Sequence, residues 1–402
     1  MSNMSLKILF ILLNFHVFRK LTIVPALMSL AVYIYIILIN FKKIPILKIN
    51  AINVLMFYYL LFNIYLIIIT YLNCDCQDIN IGVIRAFFVF PIFYMVVMVG
   101  VYGDEILVFL RIYINIILLS ALVLIYQLIF GPIEWFGPLF YRAGLPRYFT
   151  ILGALPTYCI ASSFAIIFLG AAGYNKLKIL LIYTILVIGM ILSLQKTAIP
   201  NFILSSAMLS YIIYGKNLFN LKNLIKIIII ALLFFVIGSI LFPGYSAVMA
   251  KFMGLDFGPK VGWVGYDMQS QIIGRLSSIF GENLEWINIF LGSGFHGMAG
   301  VLGFSGKTPH NGFGDYFVSG GIFYLLLYLL ILFYSIRRLI FYKNIINRKL
   351  YLSLIFFLSI FIINVPFYSG IMINPSLSSI FWIIIGYISI LELNGYHSVT
   401  TS

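Results

Sequence analysis

Charged residues are scarce in this chain: they make up 9% of its 402 residues, whereas 63% are hydrophobic. The mean hydropathy is +1.11, a value that soluble domains do not reach. A helix needs about 20 mostly apolar residues to cross the hydrocarbon core of a bilayer, and the sequence contains many such runs, separated by short polar breaks. The composition excludes a soluble domain and predicts an all-α, polytopic integral membrane protein.

The apolar runs predict about eleven or twelve transmembrane helices within a single transmembrane domain, residues 1–402. The predicted spans are residues 21–41, 51–72, 81–101, 106–130, 154–172, 177–194, 197–214, 224–242, 318–336, 351–365 and 377–391. A further run at 8–18 is short for a full crossing. It is either a twelfth span or an interfacial helix.

Residues that bind metals or nucleotides are also few. The chain has three cysteines and four histidines, without a cysteine–histidine cluster at zinc spacing, an H-E-x-x-H motif, a P-loop or a dinucleotide fingerprint. Cys74 and Cys76 share a short loop but lack a second pair of ligands. We therefore predict no metal and no cofactor. Asp75 and Asp78 leave open a metal-dependent transferase with an acidic motif in its first outer loop.

The excess of basic residues has the pattern of a membrane topology. The formal net charge is +14, but the lysines and arginines fall in alternating loops, which favours anionic lipid headgroups over nucleic acid as partners. The basic loops are 42–48, 176–178, 216–226 and 337–349. If they are cytoplasmic, the spans alternate consistently, although Arg19 and Lys20 then begin outside. This pattern predicts a multi-pass inner-membrane protein with a cytoplasmic C-terminus.

Two of the predicted periplasmic loops are long, at 131–153 and 243–317. Loops of that length are usually functional or separately folded. Within the second, residues 271–289 have apolar side chains at helical spacing, which predicts an amphipathic helix with Arg275 at the edge of its apolar face. The glycine-rich stretch 291–321 follows and ends this loop. We expect the active site to lie there.

Several basic residues on the predicted outer side are not explained by the topology rule, since outer loops are normally poor in lysine and arginine. They include Arg142, Arg147, Lys196 and Arg275, with Arg85 just inside the outer end of a span. One interpretation is that these side chains are interfacial anchors. The other is a cradle for a lipid-linked diphosphate, because arginine forks bind phosphate oxygens bidentately and lysine binds them as a point charge.

His310 is the candidate for catalytic chemistry. A histidine can accept the proton of a sugar hydroxyl as that hydroxyl attacks an anomeric carbon. Nearby cations would stabilise the departing diphosphate, and Asn311 is a further candidate for substrate binding. The alternative is that His310 caps the following helix or fills a polar pocket. His296, in the same stretch, is the less favoured histidine.

Four short motifs carry a resemblance to a known family. The segments are G-S-G-F-H (292–296) with P-H-N-G (309–312) and G-G-I-F-Y-L-L (320–326), R-A-G-L (142–145), L-S-L-Q-K-T-A (192–198), and an arginine, Arg275, upstream of the first. With them the chain resembles the O-antigen polymerase and O-antigen ligase superfamily over roughly residues 142–330. The motifs are short and degenerate.

The resemblance implies a metal-independent membrane glycosyltransferase with an all-helical fold. Its donor would be a glycan linked to undecaprenyl diphosphate, and its active site would face the periplasm from the bacterial inner (cytoplasmic) membrane. By matching position, His310 takes the catalytic role, and Arg275, Lys196 and Arg142 contact the diphosphate. Lys196 stands where the family commonly has an arginine, so a bidentate contact is not expected there.

Three functions remain open on the sequence. A polymerase of O-antigen or another surface polysaccharide would transfer the growing chain to the non-reducing end of another lipid-linked repeat unit, with a chain-length regulator protein as a further partner. A ligase would transfer the chain to the lipid A core during lipopolysaccharide biosynthesis. A lipid-linked oligosaccharide flippase or other transporter would show repeat symmetry and helices interrupted at matched positions. We expect a polymerase, because the chain has little overall similarity to the family consensus, and the sequences of polymerases diverge with the sugars that they join.

Overall fold

The computed structural model describes residues 7, 10–11, 50–73, 105–134, 140–142, 145–153, 155–193, 195, 197–215, 286–292, 294, 312–368, 371 and 374–391. These residues form α1 (Ala51–Asn73), α2 (Glu105–Phe130), α3 (Leu155–Leu169), α4 (Lys176–Leu192), α5 (Ala198–Tyr214), α6 (Trp286–Leu291), α7 (Gly312–Phe341), α8 (Arg348–Asn364) and α9 (Pro375–Ser389). Between α2 and α3, strands β1 (Phe140–Arg142) and β2 (Leu145–Arg147) form a small antiparallel ribbon. A 3-10 turn, Val365–Phe367, follows α8.

The helices agree with the predicted spans, apart from the short helix α6, which lies within the predicted loop 243–317. The spans predicted at 51–72, 106–130, 154–172, 177–194, 197–214, 318–336, 351–365 and 377–391 each correspond to a helix. The prediction of a mostly helical protein is therefore confirmed, with the ribbon as a local exception. The main difference is at α7, which begins at Gly312, inside the segment predicted as the end of the loop 243–317.

Three of the described helices are long and apolar enough to cross a membrane: Ala51–Thr70, Glu105–Phe130 and Tyr316–Phe341. This supports the prediction of a membrane protein. The total number of spans and the side that each loop faces stay predictions. The spans predicted at 21–41, 81–101 and 224–242 lie outside the described residues, as does most of the run 8–18 and of the predicted helix 271–289.

Helices α3 and α9 form the centre of the bundle. Every side chain of α9 from Ser376 onward is buried, and α3 is buried along its length except at Pro156. A helix that is apolar on all sides belongs in a protein core or in a membrane, and the burial of these two helices places them in the core. Each helix has 15 residues and is therefore about 22 Å long, against about 30 Å for the hydrocarbon core. Polar groups at the ends of helices this short need partners within the protein if the ends lie inside the hydrocarbon.

Basic side chains collect at one end of this bundle. Arg111, near the start of α2, donates from Nε to the carbonyl of Ala172 at 2.8 Å, and Arg338, near the end of α7, donates to the carbonyl of Ile388 at 3.0 Å. We call this the basic end; it also carries the lysine- and arginine-rich first turns of α4 and α8. The grouping agrees with the predicted alternation of the helices.

Helix α1 is fixed to α7 by a buried tyrosine pair. The Tyr59 and Tyr324 rings stack with centroids 5.2 Å apart, and their hydroxyls lie 3.0 Å apart. The Tyr324 hydroxyl is also 2.7 Å from Oδ1 of Asn63, whose Nδ2 donates to the Tyr59 carbonyl. Hydrogen bonds between polar side chains join helices in membranes, so this group sets the position of α1 along α7.

Helix α7 is interrupted at Gly321, where φ is 65° and ψ is −167°. Helix α6 packs against the break: a Cβ atom on Gly321 would collide with the backbone of Phe290. The Gly294 amide donates to the Ser319 carbonyl at 2.9 Å, a carbonyl that an unbroken helix would satisfy internally. Interrupted backbone at membrane depth is tolerated where protein covers it. Helix α6 therefore holds the first segment of α7, the one that follows His310 in the sequence.

Candidate functional site at the polar end of the bundle

Two of the seven predicted site residues belong to the described ribbon: Arg142 and Arg147. The other five, His310, Arg275, Lys196, Arg85 and Asn311, lie outside the described residues. Their assignment stays a prediction. The structure describes the residues on both sides of Lys196 and the residue that follows Asn311, but no residue next to Arg275 or Arg85.

The ribbon brings its two arginine positions to one face. Phe140 pairs with Arg147, and Arg142 pairs with Leu145. Because every second residue of a strand falls on the same face, positions 142 and 147 share a face of this ribbon. Arg147 is half-buried, and its positive charge lies close enough to act on the Cys159 thiol, near the start of α3.

The chain after the ribbon is seated on the bundle. Tyr148, Ile151 and Leu152 are buried. A tight turn closes this stretch, since the Thr150 amide donates to the Gly153 carbonyl at 3.0 Å and the Gly153 amide donates back at 2.9 Å. The loop predicted at 131–153 therefore ends as a buried plug that leads directly into α3.

The first turn of α3 is tied to the connection between α8 and α9. The hydroxyls of Thr157 and Tyr368 lie 2.7 Å apart, and Nδ2 of Asn374 donates to Oγ1 of Thr157 at 2.9 Å. The Oδ1 atom of Asn374 accepts from the Ser376 amide at 3.0 Å and so caps α9. Asn374 thus accepts a hydrogen bond from a free backbone amide at the N-terminus of α9 and joins α9 to α3.

A second buried amide pair joins α5 to α8. Nδ2 of Asn201 donates to Oδ1 of Asn364 at 2.8 Å, and Nδ2 of Asn364 donates to Oδ1 of Asn201 at 2.8 Å. Asn364 also donates to the carbonyl of Ile360. Each side chain is 3% exposed, so both amides depend on this pairing. We call the end of the bundle that carries Thr157, Asn201, Asn364, Tyr368 and Asn374 the polar end.

The Asn201–Asn364 pair gives a first testable prediction. Asn364→Leu leaves the Asn201 amide buried without its partner, and we expect the free energy of unfolding in detergent to fall by about 1–3 kcal/mol. The double variant with Asn201→Leu removes both amides and should lose less than the sum of the two single changes. An SDS unfolding titration of the four proteins measures this. Strictly additive losses would show that the two amides do not depend on each other.

The start of α7 meets the polar end as well. A Cβ atom on Gly312 would lie 2.9 Å from Cγ1 of Val365 and 3.2 Å from Cγ2 of Ile371, so α7 begins in close contact with the α8–α9 connection. His310 and Asn311 come immediately before this residue in the sequence. The start of α7 therefore lies closer to His310 in the sequence than the predicted span 318–336 placed it.

The turn between α4 and α5 is the third element. The Ser193 hydroxyl lies 2.9 Å from the Cys159 thiol of α3, which holds the end of α4 beside the start of α3. Gln195 is 7% exposed, and its Nε2 atom has no hydrogen-bond partner among the described residues. Lys196 follows it in the sequence. A buried donor of this kind is costly unless an acceptor reaches it.

Sequence reasoning selected charges and a histidine, and it missed the neutral residues that assemble this end. They are Gln127, Thr157, Asn201, Asn364, Tyr368 and Asn374. A signal was present in two of them. Asn374 precedes Pro375, the pattern of an N-cap followed by proline at the first helical position, and Asn364 is an amide at the end of an otherwise apolar helix, where a partner in another helix is expected.

No protein-family model matches the chain, and no curated protein matches it. The resemblance to the O-antigen polymerase and ligase superfamily therefore rests on the short motifs quoted above alone.

Proposed function

We propose that this protein is a polymerase of O-antigen or a similar surface polysaccharide. It transfers a glycan from undecaprenyl diphosphate to the non-reducing end of another lipid-linked repeat unit, at the periplasmic face of the inner membrane. The reaction forms one glycosidic bond and breaks the bond between the anomeric carbon and the diphosphate. It needs a base for the acceptor hydroxyl and positive groups for the leaving diphosphate.

The observation that carries the proposal is the convergence on the polar end. The arginine-bearing ribbon, the α4–α5 turn and the start of α7 are far apart in the sequence. The positive charge of Arg147 and the hydroxyl of Ser193 both lie near Cys159, close to the start of α3. Gly312 packs against the α8–α9 connection, which Asn374 joins to Thr157 of α3. Each of them also adjoins a residue predicted to serve the transfer reaction. A site assembled from several segments at one end of a rigid bundle is the arrangement that such a transfer requires.

The proposed chemistry assigns one task to each group. His310 accepts the proton of the acceptor hydroxyl, and Asn311 contacts the glycan. Arg142, Arg147, Lys196, Arg275 and Arg85 surround the diphosphate, whose negative charge grows as the glycosidic bond breaks. The buried amide of Gln195 adds a hydrogen-bond donor beside Lys196 and needs no charge to do so.

An apolar groove supports a donor with a long hydrocarbon tail. The groove lies between α1 and α7 and has a volume of about 460 Å³. Its lining is Tyr58, Leu61, Phe62, Tyr65, Phe323, Leu326, Leu327 and Leu330. Tyr58, Leu61, Phe323 and Leu326 are exposed, as the wall of a groove open to lipid would be. It has room for one segment of a polyprenyl chain, and α7 leads from it towards the polar end.

A second candidate is a lipid-linked oligosaccharide flippase, for which a break such as the one in α7 would be expected, because interrupted helices form the substrate sites of many transporters. In those sites the interrupted backbone faces a cavity. Here the break at Gly321 faces the backbone of α6, and the Gly294 amide donates a hydrogen bond to the Ser319 carbonyl. This contact makes the break a packing feature and favours the transferase.

The experiment that tests the proposal is the glycan ladder on lipopolysaccharide from cells that lack the protein. For a polymerase we expect long chains to disappear while single repeat units remain attached to the core. Re-expression of the wild-type protein should restore the ladder.

Other ladders would contradict the proposal in distinct ways. Loss of all attached glycan, with polymer accumulating on the lipid carrier, indicates a ligase. An unchanged ladder indicates that the protein acts in another pathway. Repeat units trapped on the cytoplasmic side of the membrane indicate the flippase.

A further inference from the structure

Gln127, in the last turn of α2, forms hydrogen bonds to both ends of the loop 131–153, which contains the ribbon. Its Nε2 donates to the Phe149 carbonyl at 2.8 Å, and its Oε1 accepts from the Ile133 amide at 3.1 Å. The side chain is 1% exposed. One buried amide therefore uses its donor and its acceptor to join the chain before the ribbon to the chain after it.

These hydrogen bonds close the base of the loop without any contribution from the two strands of the ribbon. Residue 133 leaves α2 and residue 149 leads back to α3, so everything between them, including positions 142 and 147, is carried on a closed base. The Gly131 amide adds a bond to the Gln127 carbonyl at 2.9 Å. A loop whose ends are pinned has few orientations relative to the bundle.

We propose that Gln127 is a positioning residue that orients the face carrying Arg142 and Arg147 towards an anionic ligand at the polar end. The ligand is the diphosphate group of the lipid-linked donor, and this identity rests on the proposed function. Gln127 itself does not contact the ligand. It acts through the ribbon, because its hydrogen bonds end on the backbone of the loop.

The choice of glutamine has a physical reason. A buried membrane position excludes a charged side chain unless it is paired, whereas a neutral amide offers one donor and one acceptor at the same time. An apolar side chain of the same length satisfies neither the Ile133 amide nor the Phe149 carbonyl. Asparagine is one methylene shorter and reaches one of them at most.

The test compares Gln127→Met with a matched control, Ser120→Ala. Ser120 is buried in the same helix, and its hydroxyl has no hydrogen-bond partner among the described residues. The probe is undecaprenyl diphosphate bound to the full chain in nanodiscs, with undecaprenol as the uncharged reference. We expect Gln127→Met to bind the diphosphate on the order of tenfold more weakly, and to bind undecaprenol as the wild type does. Ser120→Ala should match the wild type for both.

A double-variant cycle separates positioning from general destabilisation. Arg147→Ala should itself weaken binding of the diphosphate. If Gln127 acts through the ribbon, Gln127→Met should add little in the Arg147→Ala background. Gln127→Asn, which disturbs the core less, should fall between the wild type and Gln127→Met. Full additivity of Gln127→Met and Arg147→Ala would overturn the proposal.

Hydrogen exchange over residues 131–153 tests, without any ligand, the clasp that Gln127 forms by its hydrogen bonds to Ile133 and Phe149. We expect exchange to become faster in Gln127→Met and to stay unchanged in Ser120→Ala. Unchanged exchange in Gln127→Met overturns the clasp whatever the function is. Faster exchange with unaltered binding of the diphosphate overturns the positioning role alone. A wild-type protein that does not distinguish undecaprenyl diphosphate from undecaprenol overturns the proposed donor, even when exchange shows the clasp.

Discussion

We expect the His310→Ala variant to reach the membrane in the wild-type amount and to show no polymerised glycan. A general base contributes about 10²–10⁴-fold to such a reaction, so its loss leaves the transfer rate at least about a hundredfold lower, too slow to build long chains. The stability of the bundle should not change, because α7 is held by its contacts at Gly312 and Gly321, which lie downstream of the histidine. Immunoblotting of membranes alongside the glycan ladder measures both quantities in the same cells.

His296→Ala is the matched control for this prediction, since it lies in the same glycine-rich stretch and removes the same side chain. It should keep the ladder. His310→Gln separates the two roles that a histidine at the start of a helix has: glutamine still donates and accepts hydrogen bonds but is not a base. A normal ladder from His310→Ala would remove this residue from the chemistry. A normal ladder from His310→Gln alone would indicate a capping or binding role.

The second large effect is expected at Gly292, where α6 ends against α7. Its φ of +75° is in the left-handed region, and a Cβ atom there would collide with the backbone of Ser319 and Gly320. Backbone atoms have no alternative rotamer, so Gly292→Ala must separate the two helices. We expect the free energy of unfolding to fall by about 2–5 kcal/mol, from about 1–2 for the left-handed conformation and about 1–3 for overpacking. Glycan transfer should fall with it, because α6 covers the break in α7.

Gly131→Ala provides the control that isolates the two contributions. Gly131 has a similarly positive φ of +98°, but a Cβ atom there would meet nothing within 4 Å. This variant should therefore show the backbone cost of about 1–2 kcal/mol without the steric one. An SDS unfolding titration of the two variants measures the difference. Equal losses would show that the close approach of α6 to α7 is not a feature of the folded protein.

Much of the fold was predictable because membrane helices are specified by local composition. The runs at 51–72 and 106–130 each differ from α1 and α2, respectively, by one residue at one end, since about 20 apolar residues are enough to define a crossing. The start of α7 was placed too late, because the polar and glycine-rich residues 312–317 have low hydropathy. Their helical conformation depends on packing against the α8–α9 connection, which hydropathy does not register.

The candidate site was predictable to a smaller extent. Arg142 and Arg147 stood out because their charge departs from the topology rule, but their common face depends on the register of a three-residue ribbon. Gln127 carries no charge, and its importance depends on two backbone groups further along the chain, the Ile133 amide six residues after it and the Phe149 carbonyl 22 residues after it. Such contacts have no signature in a single sequence.

The sequence by itself determined that this protein is a bundle of apolar helices, where most of those helices begin and end, and which charged residues require an explanation. These properties follow from the free energy of transferring each segment into hydrocarbon, which is local to the segment. Only the tertiary structure decided that α3 and α9 are central, that α7 is broken against α6, and that the ribbon, the α4–α5 turn and the start of α7 meet at the polar end. Those features depend on neutral amides and hydroxyls such as Asn201, Asn364 and Asn374, which gain partners only when distant helices pack together.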